Sequence, residues 1–173
     1  MKKIIATSLL FTIIFILSCK EQEQIEPKTI EVEKKDELMF KVTLNTTTSD
    51  DFRLLLNNIK KDNSKINIQV SETLKSGNED QSIEITIKEN YFPQEIIVDL
   101  GQKEQKIVDI KDIYIKASNF ELNIPKNKIN HFFYPNQFIS YDSITKNYNV
   151  NTSNKNHLLI FRNRIIDSLW INE

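Results

Sequence analysis

Two histidines and one cysteine are the only imidazole and thiol groups in the chain: His131, His157 and Cys19. Acid-base catalysis needs a second group placed beside the imidazole, and neither histidine has one at a recognisable spacing. His131, next to Phe132 and Phe133, reads as a structural residue beside a core. His157, in Asn156-His157-Leu158, reads as a surface turn residue. The chain has only two glycines, Gly77 and Gly101. Phosphate-cradling loops and nucleophile elbows need several glycines in a short span, so both are excluded. The carboxylates of Asp50-Asp51, and of Asp109 with Asp112, are too sparse for the several oxygen ligands that calcium takes. Neither catalysis, a metal nor a cofactor is expected, so the reading is of a protein that is not an enzyme.

Charge removes a further class of partner. Lysine and arginine number 23 against 24 acidic residues in 173, which leaves no basic footprint for nucleic acid. A hydrophobic share of 39% with 27% charged residues suits one domain with an ordinary core. With so little glycine, turns must be built from Asn, Asp, Ser and Lys.

Cys19 has a different use. Met1-Lys2-Lys3 is a positive start, and Ile4 to Leu17 is apolar except for Thr7, Ser8 and Thr12. That run of about 14 residues has the order of a secretory signal and falls short of the roughly 20 needed to span a bilayer. Ile16-Leu17-Ser18-Cys19 resembles the lipobox of bacterial lipoproteins. The resemblance implies cleavage before Cys19, with a diacylglycerol on its thiol and an acylated amino group. Acyl chains at about 0.8 kcal/mol per buried methylene would then hold the protein to a membrane. Lys20, Glu21 and Glu23 resemble the signal that sends lipoproteins of Bacteroidota to the outer face of the outer membrane, which implies an envelope address with surface exposure. The organisation expected is a signal peptide over 1–18, a lipidated N-terminus and flexible tether over 19–35, and a folded domain over 36–173.

The domain announces itself by period-two alternation. Leu38, Phe40, Val42 and Leu44 alternate with polar or flexible neighbours, as do Phe52, Leu54 and Leu56. The pattern recurs at 66–70, 83–87, 96–100, 113–115 and 120–124, with turn formers at 45–51, 75–81 and 101–105. Residues 125–135 carry Ile129, Phe132 and Phe133 at helical spacing and stop before Pro135, which predicts a short helical plug. Further strands are expected at 137–142, around 145–150, at 157–161 and at 165–171. The fold class is therefore all-β, an antiparallel sandwich or jelly roll with one short helical segment.

Aromatic side chains are the remaining handle on function. Tyr114 lies between Ile113 and Ile115, and Trp170 between Leu169 and Ile171, so each points to the opposite sheet face from its apolar neighbours. Together with Tyr148 they are the candidate ligand-binding residues. Strands, plug and aromatics resemble, in architecture, the β-sandwich carbohydrate-binding modules of bacterial surface lipoproteins. Asp142-Ser143-Ile144 and Asp167-Ser168-Leu169 resemble the O-glycosylation tripeptide of exported Bacteroidota proteins, which implies Ser143 and Ser168 as acceptors. The expectation is a lipid-anchored, non-catalytic module that binds a glycan or another extracellular ligand. The alternative is a structural or protein-interaction subunit of an outer-membrane complex.

Overall fold

The computed structural model describes residues 37–61, 64–87, 93–117, 120–151 and 155–162. The signal segment, Cys19, the tether, Ser168 and Trp170 lie outside the described residues. The described chain forms strands β1 (Leu38–Thr46), β2 (Asp50–Lys61), β3 (Ser64–Leu74), β4 (Gly77–Ile87), β5 (Glu95–Asp99), β6 (Lys106–Ala117) and β7 (Phe120–Pro125). A 3-10 turn (Lys126–Lys128) leads into helix α1 (Ile129–Phe132), and strands β8 (Phe133–Pro135), β9 (Ile139–Tyr141), β10 (Tyr148–Val150) and β11 (Leu158–Phe161) follow.

Two antiparallel sheets make an all-β sandwich, as the alternation predicts. The first runs β4-β1-β6-β10-β9, with β7 pairing the half of β6 that β10 leaves open. The second runs β3-β2-β5-β11-β8. These two orders are the same order. β1 continues into β2, β3 into β4, β5 into β6, β8 into β9 and β10 into β11, and each such arm passes from one sheet to the other. Both halves of an arm meet the same neighbouring arms. The sandwich is thus one antiparallel ribbon of five arms folded over a single crease. Among the described residues the crease runs through 47–49, 75–76, 100–105, 136–138, 151 and 155–157.

Alternation fills the space between the layers. Phe40, Val42 and Leu44 of β1 and Phe52, Leu54 and Leu56 of β2 are fully buried in one apolar cluster with Val98, Ile113 and Leu159. Two strands change phase along their length. On β6 the inward residues are Lys106, Val108 and Ile110, then Ile113, Ile115 and Ala117, with the register against β1 shifting between Thr43 and Leu44. On β2 the shift lies between Leu56 and Ile59, where Asn58 takes a φ of 55°. Both are bulges, which let a strand skip a residue and keep its apolar side chains on the core face.

A helical segment forms where the sequence predicts one but is shorter, 126–132, because Phe133–Pro135 pair with β11 as a strand. Ile129 and Phe133 are buried, Phe132 is half-buried and stacks on Phe161 at 6.3 Å, and Phe133 meets the same ring edge-on at 4.9 Å. His131 is exposed with its ring against Phe132. The turns are tighter than the sequence suggests. Of 45–51 only residues 47–49 leave the sheets, and of 75–81 only Lys75 and Ser76 do.

Candidate functional site

A crease interrupts every ladder that crosses it, so backbone groups there need other partners. Side chains supply several of them, among them Thr47, Ser49 and Asn136 and the buried Thr46, Asp50, Asp99 and His157, and Lys106 is buried beside these. Contacts join the arms in sheet order. The Ser76 N–H donates to Ser49 Oγ at 2.7 Å, and the Ile107 N–H to Thr47 Oγ1 at 2.9 Å. The Leu100 N–H donates to the His157 carbonyl at 2.8 Å, and His157 Nδ1 faces the Gly101 carbonyl. The Asn136 N–H donates to the Leu158 carbonyl at 2.9 Å, and its side-chain amide to the Asn156 carbonyl at 2.7 Å.

Charge concentrates where β2, β5 and β6 meet the crease. The Lys106 ammonium contacts Asp50 Oδ2 and lies 5.2 Å from the Phe52 ring centre. Asp50 Oδ2 also accepts the Lys103 N–H at 2.7 Å, and Oδ1 the Asp51 N–H at 2.9 Å. Burial pushes the Asp50 carboxyl up, but the donors from Lys106, Lys103 and Asp51 together hold it below the ordinary aspartate value. Burial pushes the Lys106 amine down by more than the hydrogen bond and charge of Asp50 restore. Beside this pair Arg53 bridges to Asp99, whose Oδ1 accepts the Gly101 N–H at 3.0 Å.

Over this cluster the outer face of the second sheet opens into a cleft of about 350 Å³ lined by Asp50, Asp51, Arg53, Gln69, Ser71 and Gln102. Its walls follow from register: Arg53 stands opposite Ser71 on one side and Asp99 on the other, and Leu55 opposite Gln69. The lining itself holds two carboxylates, Asp50 and Asp51, against the Arg53 guanidinium, and with the neighbouring Asp99, Lys103 and Lys106 counted the formal charges of cleft and cluster balance. Among the described residues no three His, Cys, Asp or Glu side chains converge as a metal site would need. Asp109 is taken by Lys111 at 2.7 Å and Lys126 at 2.6 Å, and Asp112 by the Thr43 hydroxyl at 3.2 Å.

The aromatics named from sequence do not gather at this cleft. Tyr148 is a correction: it is 1% exposed, inward-facing on β10, and packs against Tyr141 at 5.2 Å. Its phase matches Val150, and burial followed by the Tyr141 charge pushes its phenol far above the usual tyrosine range. It belongs to the core and offers no ligand platform. His157 is a second correction, being fully buried at the crease where the sequence suggests a surface turn. Tyr114 is half-buried on the outer face of the first sheet, on the far side of the sandwich from the cleft. There it stands between Lys41 and Asn123 in register, and partial burial with the nearby Glu121 raises its pKa.

Ser143 is exposed in the loop between β9 and β10. Asp142 holds that loop by accepting the Ile144 N–H at 2.8 Å and the Thr145 hydroxyl at 2.7 Å, and Ile144 is 89% exposed. Sequence reasoning missed the crease cluster, although a signal was present. Asp50 falls in the inward phase of Phe52, Leu54 and Leu56, and Lys106 in that of Val108 and Ile110. Two opposite charges on core-facing positions mark a buried pair.

No family model, curated protein or solved structure matches the chain.

Proposed function

We propose that this chain is a lipid-anchored protein of the cell envelope, fastened through Cys19, whose sandwich binds a neutral, hydroxyl-rich ligand of the glycan class without transforming it. The observation that carries the binding reading is the cleft over β2 and β3. Its lining of amide, hydroxyl, carboxylate and guanidinium groups suits hydroxyls that both donate and accept. The balance of formal charge over the cleft and the cluster around it favours a neutral ligand over an ion. A volume of about 350 Å³ lies at the small end of ligand sites, enough for one or two sugar units. The apolar segment ending in Ile16-Leu17-Ser18-Cys19 supports the anchor and, with Lys20 and Glu21, an outer-membrane address.

A glycan array probed with the purified chain tests the binding, with Gln69→Ala and Gln102→Ala as cleft variants. Both side chains are exposed, so the fold is spared. Specific binding that weakens roughly tenfold in these variants, about 1.4 kcal/mol, is expected. Silence across the array would end the glycan reading, and retention by both variants would move the site elsewhere, with Trp170→Ala the next variant. Metabolic labelling with palmitate tests the anchor: label in the wild type and none in Cys19→Ala is expected, and an unlabelled wild type would remove it.

A protein partner is the second reading, and a specific feature favours it. Leu55, Ile97, Ile160 and Tyr134 are consecutive register partners across β2, β5, β11 and β8, in the phase turned away from the core, with Ile97 buried, Leu55 and Ile160 half-buried and Tyr134 exposed. Tyr134 is 41% exposed, with the Arg162 guanidinium 5.6 Å from its ring. An apolar row of this kind, flanked by the polar pairs Arg53–Asp99 and Asn57–Glu95, resembles the centre of a protein interface more than a sugar site.

A further inference from the structure

The Lys106 side chain is fully buried, yet among the described residues its ammonium has one hydrogen-bond acceptor, Asp50, with the Phe52 ring beside it and the Asp99 charge acting on it without a hydrogen bond. An ammonium carries three N–H donors, so as an ion this group is poorly satisfied. A neutral amine needs far less, and a neutral amine is a nucleophile. What it touches is a carboxyl group, itself 6% exposed.

We propose that Lys106 and Asp50 are joined by an intramolecular isopeptide bond, formed by the folded protein itself and cross-linking β6 to β2 at the crease. One proton passes from Nζ to Asp50 Oδ2 through the contact between them, leaving an amine and a carboxylic acid. The Nζ lone pair then attacks Asp50 Cγ, and the C=O electron pair moves onto Oδ1, which the Asp51 N–H holds from 2.9 Å. That N–H stands where an oxyanion develops, and the buried Asp99 carboxylate, whose charge acts on Lys106, favours the positive nitrogen of the adduct. A second proton moves from Nζ to Oδ2, where the Lys103 N–H at 2.7 Å assists the departing oxygen. The Cγ–Oδ2 bond breaks, the amide forms and one water leaves. No oxidant or co-reactant enters, and the net change is ammonium plus carboxylate to amide plus water. Asp50 lines the cleft, so the water has a way out.

Two features of the site serve this step. Gly101 brings the backbone so close that a Cβ there would lie 2.6 Å from Asp50 Cγ, which fixes the carboxyl against the amine. Proximity of this kind converts a reaction between two molecules into one within a single molecule. The product also removes a costly pair of buried charges.

The full chain, purified and denatured, is digested with trypsin and its peptides are weighed. The expected result is one species in which the peptides holding residues 50 and 106 are joined and weigh one water less than their sum, with no cleavage after Lys106. Lys106→Met abolishes that species, and the denatured wild type, closed into a loop over residues 50–106, migrates faster than the variant on a denaturing gel. Free peptides from both positions in the wild type, with cleavage after Lys106, overturn the proposal, and this readout needs no variant to fold.

Discussion

Gly101 is constrained by its neighbours more than by its own turn. Its φ of +84° is a conformation that L side chains rarely adopt, and an added Cβ would lie 2.4 Å from Asp50 Oδ2 and 2.9 Å from the Asp51 carbonyl. Gly101→Ala therefore combines backbone strain with a clash against a carboxylate that is already fixed by Lys106 and two backbone donors. A loss of about 3 kcal/mol in a urea unfolding experiment is expected, and a loss below about 1 kcal/mol would contradict this packing. Asp109 makes a second prediction at this scale. Burial raises its carboxyl pKa, but hydrogen bonds and charges from Lys111 and Lys126 outweigh that and set it below the ordinary value. A depressed aspartate stabilises the fold above its unfolded pKa of about 3.9 and loses that contribution as pH falls through the folded value. The gap in unfolding free energy between wild type and Asp109→Asn should thus be present at neutral pH and shrink below about pH 4. An equal gap at neutral and acid pH would show that the pairing with Lys111 and Lys126 adds nothing.

Among the elements, β2 shows how a bulge keeps a long strand useful. Asn58 sits at φ 55° and its N–H donates to Asn67 Oδ1 at 2.8 Å, so the phase slip that returns Ile59 to the core is held by a side chain from β3. Asn58→Gly should be tolerated to within about 0.5 kcal/mol, whereas Asn58→Val should cost roughly 1–2 kcal/mol because a β-branched residue resists the left-handed region. Equal stability of the two variants, read from thermal unfolding, would mean that the bulge does not persist. Such slips also explain what could be read from the sequence. Inward residues of β1, β2 and β6 were legible because hydrophobic period two survives inside each strand, and residues 125–135 because their period changes. The continuity of β1 into β2, or of β3 into β4, was hidden because Thr47-Thr48-Ser49 and Lys75-Ser76 look like turns that end a hairpin. They are corners at which an arm changes sheet, and that distinction depends on long-range partners. Tyr148 was misplaced for a related reason. With three residues in β10, alternation alone could not say which face was inward.

At the scale of the whole molecule, arm continuity makes a prediction that an ordinary sandwich does not. In a stack of two separately wound sheets, one layer could loosen while the other keeps its ladders. Here β1 and β2 belong to one arm, as do β5 and β6, and each arm is hydrogen-bonded to the same neighbours on both sides of the crease. Freeing β5 from β2 exposes Leu54 and Val98, opens the core cluster they share with Val42 and Ile113, breaks the Arg53–Asp99 bridge within the second sheet, and pulls on the Lys106–Asp50 contact that ties the two layers. Buried area shared in this way favours one cooperative unit over independent layers. Native-state hydrogen exchange under mild denaturant reads this directly. The slowest amides of β1 and β6 in the first sheet, and of β2 and β5 in the second, should report the same opening free energy to within about 0.5 kcal/mol, with the same denaturant dependence. If one sheet exchanged through an opening markedly cheaper than the other, the crease would be acting as a hinge between two layers and the folded-ribbon account of cohesion would fail.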